Sequence, residues 1–286
     1  MAKKIRRTTK GGYYQNMPHK AYWKQRGKET LAETFATSDE VNAYLTGVYK
    51  KCLLEFCGKY NELLKPFVKN GVLDAAALQK AKNSDIGFAA KYMRLLREID
   101  NIKDTLADVQ QSEILSLLED VYKDNVIKNF AELGASTDGI EILNEAAVKM
   151  AVKQPFTADG REFSDRIWDN LNIMNGKLRQ TLSESITKGE SIQKTVSKFK
   201  DIFGNSTYNT ERIIRTETMA VYAKASRDSY SSLGVKQMEI LAEADACDEC
   251  QAMADKRIDV EDAELGIDIP PFHPFCKCCV IPVVNW

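Results

Sequence analysis

With 286 residues, 44% of them hydrophobic and 28% charged, the chain is long enough for one large or two modest domains with their own cores. The net charge is −1, no run approaches the roughly 18 apolar residues of a membrane span, and the basic start lacks the apolar core of a secretory signal. The chain has seven cysteines, which is an odd number, and most of them are clustered as metal ligands are. Both features favour a reducing compartment over a disulfide framework.

The near-zero net charge conceals a basic start. Residues 1–28 contain nine lysines or arginines and no acidic residue, with Tyr13, Tyr14, Tyr22 and Trp23 between them. Cations neutralise phosphates and aromatic rings stack on bases, so the pattern suits nucleic-acid binding; a solvated terminus or docking on an acidic protein surface are the alternatives. We predict a basic, flexible arm over residues 1–37. Its candidate nucleic-acid contacts are Lys3, Lys4, Arg6, Arg7 and Lys10.

A helical domain is predicted over residues 38–154. Thr37 and Glu40 have the spacing of a capping box, which predicts that the first helix begins there. After a break at Asn70-Gly71, a long helical stretch is predicted to end at Gly134. Within this stretch the apolar residues repeat as in a short coiled-coil seam: Leu95, Ile99, Ile102, Leu106 and Val109.

Pro155 marks the predicted domain boundary, and residues 155–286 form the second domain. Ser164 is the expected cap of its first helix, which is predicted to end at Gly189. Gly204-Asn205 predicts a break before an alanine-rich helix that ends at Gly234. Beyond Gly234 the residues 235–243 and 279–284 predict short strands. The expected fold class is therefore mainly α, with a helical N-terminal body and a C-terminal domain of helices, a small sheet and a zinc-stapled loop.

The alanine-rich helix contains Arg215-Thr216-Glu217. Residues two apart on a helix point about 200° away from each other, so Arg215 and Glu217 are not expected to pair. Glu217 shares its face with apolar residues, and a carboxylate there needs a partner. We therefore predict that Glu217 is an internal brace between this helix and the cysteine-rich loop. The sequence offers no second carboxylate or histidine at a spacing that would make an acid–base pair.

Five of the seven cysteines and one of the two histidines lie in the last forty residues. Cys247 and Cys250 form a Cys-x-x-Cys pair, and a second cluster follows about 25 residues on, which is typical of a structural zinc site. That second cluster is over-supplied with donors, so spacing alone leaves the choice open: His273, Cys276, Cys278 and Cys279. Free thiols would not need paired spacing twice, and a redox pair would not need the downstream cluster. Four protein ligands would leave no open position for chemistry.

Acidic residues surround the first cysteine pair. Between Glu239 and Asp268 there are eleven acidic residues and two basic ones. Such a segment repels phosphate, so any contact with DNA is expected at the other end of the chain.

The order of these features carries a resemblance. A helix, Gly189, a second helix with Arg215-Thr216-Glu217, Gly234-Val235, and the two cysteine clusters follow one another over residues 156–286. This order resembles the phage head morphogenesis family named for the F protein of phage Mu, whose members are minor head or minor capsid proteins. Residues 21–26 are similar to the helical leader of minor head proteins from phages of Gram-positive hosts.

The resemblance implies a low-copy, non-enzymatic protein of the tailed-phage head, present in the virion and in the bacterial host cytoplasm during assembly. It implies the portal and other capsid proteins as partners, and phage DNA through the basic arm. It also implies that Arg215, Thr216 and Glu217 are signature positions, and that the metal cluster consists of Cys247, Cys250, His273, Cys276 and Cys278, with Cys279 extra to the pattern.

Two alternative functions stay open at this point. Family members can be fused to toxin domains, and an Arg, Thr, Glu trio resembles that of ADP-ribosyltransferases, which would make the chain an effector enzyme carried in the head. That fold would place the trio on separate strands, whereas here one helix is predicted to hold all three residues. The third interpretation is a redox or metal-dependent hydrolase.

Overall fold

The computed structural model describes residues 19–69 and 72–284. The described helices are α1 (His19–Leu64), α2 (Ala75–Ser84), α3 (Ile86–Glu132), α4 (Glu145–Lys153), α5 (Phe163–Lys188), α6 (Ile192–Ser232) and α7 (Asp248–Met253), with short 3-10 turns at Lys65–Phe67 and Glu141–Leu143. The described strands are β1 (Val68–Lys69), β2 (Val72–Leu73), β3 (Gln237–Leu241), β4 (Arg257–Asp259) and β5 (Cys279–Val283). The mainly α fold class with a small C-terminal sheet is confirmed.

Three predicted helix ends are confirmed at glycines. Helix α3 ends just before Gly134, α5 just before Gly189, and α6 just before Gly234. Gly189 and Gly234 have φ of 62° and 71°, in the left-handed region where a side chain is disfavoured. At Gly189 a Cβ atom would also lie 2.6 Å from the Cβ of Ala75, so this end is closed to larger residues. None of the helices in the described residues is long and apolar enough to cross a membrane.

The structure differs from two predicted helix starts and from the predicted break at Gly204-Asn205. Helix α1 begins at His19, and the Thr37 hydroxyl lies inside it, donating to the carbonyl of Glu33 at 3.3 Å. Ser164 is the second residue of α5 and not its cap. Helix α6 continues through Gly204-Asn205, where the cost of an interior glycine, about 1 kcal/mol, is small beside the packing of a long helix. The predicted break at Asn70-Gly71 lies outside the described residues.

Contacts divide the chain into two compact units, each assembled from separate segments. The first unit takes its residues from Met1–Val41, Glu113–Phe163 and Arg212–Trp286, and the second from Asn42–Ser112 and Ser164–Glu211. The predicted boundary at Pro155 lies inside the first unit. The linear division into 38–154 and 155–286 therefore stays a prediction that the contact pattern does not reproduce.

The second unit has a buried polar layer among its apolar helix faces. The Tyr49 hydroxyl lies 3.0 Å from both Ser206 Oγ and Thr210 Oγ1, and Thr210 donates to Gln110 at 2.9 Å. A buried polar group that loses its hydrogen bond destabilises the fold. The helices α1, α3 and α6 must therefore align so that the hydrogen bonds of this layer are all made. The first four residues of the predicted seam in α3 are buried, but Val109 is only partly buried. Its neighbour Gln110 is fully buried instead and belongs to the polar layer.

The first unit contains the three-stranded antiparallel sheet, in the order β4-β3-β5. The start of α1 belongs to the same core, because Tyr22 and Trp23 are each only 3% exposed. These two rings are therefore core residues and are not available to stack on bases. At Gly27 a Cβ atom would lie 3.1 Å from Cγ2 of Ile281 and 3.4 Å from Sγ of Cys279, so helix and strand approach closely there.

Cations at the start of α1 face the acid-rich C-terminal segment. Lys20 binds Glu239 at 2.6 Å, and this hydrogen bond raises the pKa of Lys20. Lys24 binds Asp255 at 2.9 Å. One helical turn later, Lys28 binds Glu243 at 2.9 Å. Arg26 pairs with Glu29 and Glu132 in the same region. Four of the nine cations predicted to form a free arm are thus paired within the fold, while Lys3, Lys4, Arg6, Arg7 and Lys10 lie outside the described residues.

The close approach at Gly27 makes a testable prediction about stability. We expect Gly27→Leu to destabilise the protein by about 1–3 kcal/mol, because the added side chain overpacks the contact with β5. The matched change is Gly47→Leu in the same helix, where a Cβ atom meets nothing within 4 Å. It should be neutral or stabilise by up to about 1 kcal/mol through helix propensity. Urea unfolding followed by circular dichroism measures both, and equal stability of the two variants would contradict the packing described here.

Candidate metal centre

Pairing of β3 with β5 brings the two cysteine clusters together. Leu241 at the end of β3 is opposite Cys279 at the start of β5. The first pair follows β3, with Cys247 just before α7 and Cys250 within it, and the second cluster immediately precedes β5. Residues about 30 apart in sequence are therefore adjacent at one end of the sheet.

The donor atoms form two groups of three. Cys247, Cys250 and His273 make one group and Cys250, Cys276 and Cys278 the other, and within each group the atoms lie within 4.8 Å of one another. The Sγ atoms of Cys250 and Cys276 are 3.7 Å apart. This is close to the edge of about 3.8 Å that four sulfurs at 2.3 Å make around a tetrahedral ion, and far beyond a disulfide bond of about 2.05 Å.

His273 presents Nε2 to the cysteines. Its Nε2 lies 3.2 Å from Sγ of Cys247 and 3.0 Å from Sγ of Cys250. Its other ring nitrogen, Nδ1, donates to the carbonyl of Pro274 at 2.7 Å, which leaves the Nε2 lone pair free. Metal-binding histidines are fixed in the same way by a hydrogen bond from the second nitrogen.

Burial and mutual hydrogen bonds raise the pKa of some of these thiols and lower the pKa of others. Burial raises the pKa of Cys250 to about 12, while the hydrogen bond from the Cys278 thiol lowers the pKa of Cys276 to about 5. That same hydrogen bond raises the pKa of Cys278. Several adjacent thiolates repel one another in a buried site, and a bound cation removes this cost.

The donor set therefore fits a metal ion of the kind that prefers sulfur and imidazole ligands. The five predicted residues are brought together: Cys247, Cys250, His273, Cys276 and Cys278. Five donors outnumber the four positions of a tetrahedral ion, and Cys250 is the donor that both groups share. Which four bind stays a prediction.

Cys279 lies outside both groups of donors. It is buried in β5 with its Sγ toward Gly27 of α1, and burial raises its pKa to about 12. Its side chain packs in the core, because alternation along a strand turns it away from its neighbour Cys278.

The signature residues lie together on α6 and make different contacts. Arg215 bonds to Asp39 on α1, and its guanidinium carbon lies 4.7 Å from the centre of the Phe35 ring. Thr216 accepts a hydrogen bond from the amide of Phe275, in the turn between His273 and Cys276, at 3.4 Å. The trio occupies one helix, as predicted, and not separate strands.

Glu217 is buried, as expected of a brace, and its role as a brace to the cysteine-rich loop stays a prediction. It is 5% exposed and lines a small cavity of about 20 Å³. That cavity is closed by residues of the segment after α4 and by Leu265. Among the signature residues, Thr216 contacts the cysteine-bearing turn directly through the amide of Phe275.

The sequence did not single out the partners of these residues. Phe35 and Asp39 lie one turn apart on α1, which is the only local pattern that could have suggested a joint contact. Asp255 follows the Cys-x-x-Cys helix and was one of many acids in its segment. Its pairing with Lys24 across more than 200 residues leaves no local signal.

Comparison with known proteins gives one match. Residues 176–281 match the model of the family described as Phage Mu protein F like protein. This stretch contains the C-terminal half of α5, all of α6, strands β3 and β4, the first three residues of β5 and both cysteine clusters. No curated protein and no solved structure matches the chain. The resemblance inferred from motif order is thus confirmed for the C-terminal half.

The shared donor makes a prediction about metal content. We expect the purified protein to bind about one Zn²⁺ or Co²⁺ ion per chain, and Cys250→Ser to abolish binding because both groups of donors lose a member. Cys279→Ala is the matched control, since that buried thiol belongs to neither group, and it should retain the metal. Metal content by mass spectrometry, with Co²⁺ absorption for thiolate ligation, measures both. Loss of metal in Cys279→Ala alone would reverse the assignment.

Proposed function

We propose that this chain is a minor head, or head morphogenesis, protein of a tailed phage or prophage, and that it acts by binding other proteins. The observation that carries the proposal is the family match at residues 176–281, which spans α6 with Arg215-Thr216-Glu217 and both cysteine clusters. On this proposal the chain is not an enzyme, and its place is the virion, with the host cytoplasm during assembly. The single-helix location of Arg215-Thr216-Glu217 supports this over a transferase-like enzyme.

A structural zinc ion is part of the proposal. Zinc is the metal whose preferred ligands are cysteine sulfur and histidine nitrogen in a tetrahedral set. Cys247, Cys250, His273, Cys276 and Cys278 would supply its ligands. The ion would join the helix after β3 to the turn before β5 and so stabilise the fold. With four protein ligands it would offer no position to a substrate.

The portal and other capsid proteins are the proposed partners. Exposed apolar side chains on the second unit support a binding role: Tyr44 and Leu54 are 52% and 64% exposed on α1, and Ile86 and Met93 are exposed on α3. Exposed apolar groups of this size are costly in water, and association with a partner would bury them.

Contact with phage DNA is the last part of the proposal. It rests on the five cations before residue 11, because the basic residues at the start of α1 already bind Glu239, Asp255 and Glu243. A cation that neutralises a DNA phosphate releases a counterion, and a cation already bound to a carboxylate is less able to do so.

The assignment to the phage head predicts the composition of particles. Purified virions of the source phage or induced prophage should contain this chain at far fewer copies than the major coat protein. Co-expression with the portal protein of the same genome should give a complex that survives size-exclusion chromatography, whereas co-expression with the major coat protein alone should not. Quantitative mass spectrometry of the heads measures the copy number. Absence of the chain from both full and assembling heads would refute the proposed function.

The division of the cations predicts two different phenotypes. Replacing Lys3, Lys4, Arg6, Arg7 and Lys10 by glutamine should abolish sequence-independent DNA binding without lowering the melting temperature. In the parent, log affinity should fall with log salt with a slope of up to about −4.5 for five phosphate contacts. Replacing Lys20, Lys24 and Lys28 by glutamine should lower the melting temperature and leave most DNA binding in place. Fluorescence anisotropy with a duplex probe measures binding, and unchanged affinity in the five-residue variant would refute the DNA contact.

A further inference from the structure

The turn that carries two of the five candidate metal ligands, His273 and Cys276, is held in a conformation that its own sequence disfavours. Phe275 has a φ of 61°, in the left-handed region where a residue with a Cβ atom is strained. Within the turn, the amide of Cys276 bonds back to the carbonyl of His273 at 3.2 Å. Strained residues of this kind persist where surrounding groups hold them.

Thr216 on α6 supplies such a contact from outside the turn. Its hydroxyl donates to the carbonyl of Arg212 at 2.7 Å, which directs the oxygen lone pairs away from the helix. The same oxygen accepts the amide of Phe275 at 3.4 Å. The hydroxyl therefore connects the rigid helix to the centre of the turn between His273 and Cys276.

Helix α6 is itself held against α1 next to Thr216. Arg215, the neighbour of Thr216, bonds to Ser38 and Asp39 and stacks on the ring of Phe35, all on α1. Residues next to each other on a helix point in different directions, so Arg215 can hold α1 while Thr216 faces the turn.

We propose that Thr216 is a positioning residue for the metal centre, and that its hydroxyl holds the His273–Cys276 turn in the shape that brings His273 and Cys276 to Cys250. This inference rests on the proposed metal site and adds to it a residue that binds no metal. Groups that orient metal ligands through hydrogen bonds typically change metal affinity by about 10- to 100-fold when removed.

The test compares two substitutions at Thr216 with one matched control. Thr216→Val keeps the shape of the side chain and removes the hydroxyl, whereas Thr216→Ser keeps the hydroxyl. Thr207→Val is the control, because Thr207 lies on the same helix and makes the same bond, to the carbonyl of Phe203 at 2.8 Å. Zinc affinity of the full chain is measured by competition with a chromogenic chelator.

We expect Thr216→Val to weaken zinc binding by about 10- to 100-fold, with near-parental affinity in Thr216→Ser and Thr207→Val. Parental affinity in Thr216→Val would overturn the inference, and so would equal losses in Thr216→Val and Thr207→Val. Hydrogen exchange of the Phe275 amide gives a readout that needs no metal. It should be faster in Thr216→Val than in the parent, even after chelation. If the parent binds no zinc, the proposed metal fails, and unchanged exchange at Phe275 would still overturn the role of Thr216.

Discussion

The pairing of β5 with β3 is the interaction on which the rest of the first unit depends. Its register places Cys279 opposite Leu241, and this sets the distance between the Cys-x-x-Cys helix and the turn before β5. A slip of one residue would turn every side chain of β5 to the other face. Cys279 would then leave the core beside Gly27, and the donor atoms of the second cluster would no longer meet those of the first. Strand register, helix contact and donor geometry are thus one constraint.

Features set by neighbours in sequence were predictable, and features set by distant residues were not. The helix ends at Gly134, Gly189 and Gly234 follow from backbone preference alone, and the meeting of the cysteine clusters follows from ligand spacing. The start of the first helix was misplaced because Thr37 and Glu40 imitate a cap. The burial of Tyr22 and Trp23 against the C-terminal sheet extends the helix upstream of Thr37 to His19. No local pattern in the sequence indicates that burial. Gly204-Asn205 misled in the same way, since packing outweighed a local preference.

The distribution of charge illustrates the same limit. A basic start and an acidic segment near the end were each recognisable in the sequence, and each suggested an external partner or its exclusion. In the structure Lys20, Lys24 and Lys28 bind Glu239, Asp255 and Glu243, so part of each charged segment neutralises the other. The Lys24 and Lys28 pairs are exposed to solvent, and such pairs contribute little stability individually. Their regular spacing along α1 instead selects one placement of the helix over others, because a shifted helix would lose all three pairs.

The wide separation of Trp23 from its core neighbours has a consequence for synthesis on the ribosome. Trp23 packs in a cluster with Ile240, Val280 and Ile281, which are translated more than 200 residues later. At 5–20 residues per second the delay is on the order of tens of seconds. For that interval the apolar face around Trp23 lacks the part of its core that the sheet supplies, and contacts so distant in sequence also form slowly once available. The nascent chain therefore exposes part of this apolar face early in translation, and the core of the first unit is complete only when β5 has emerged.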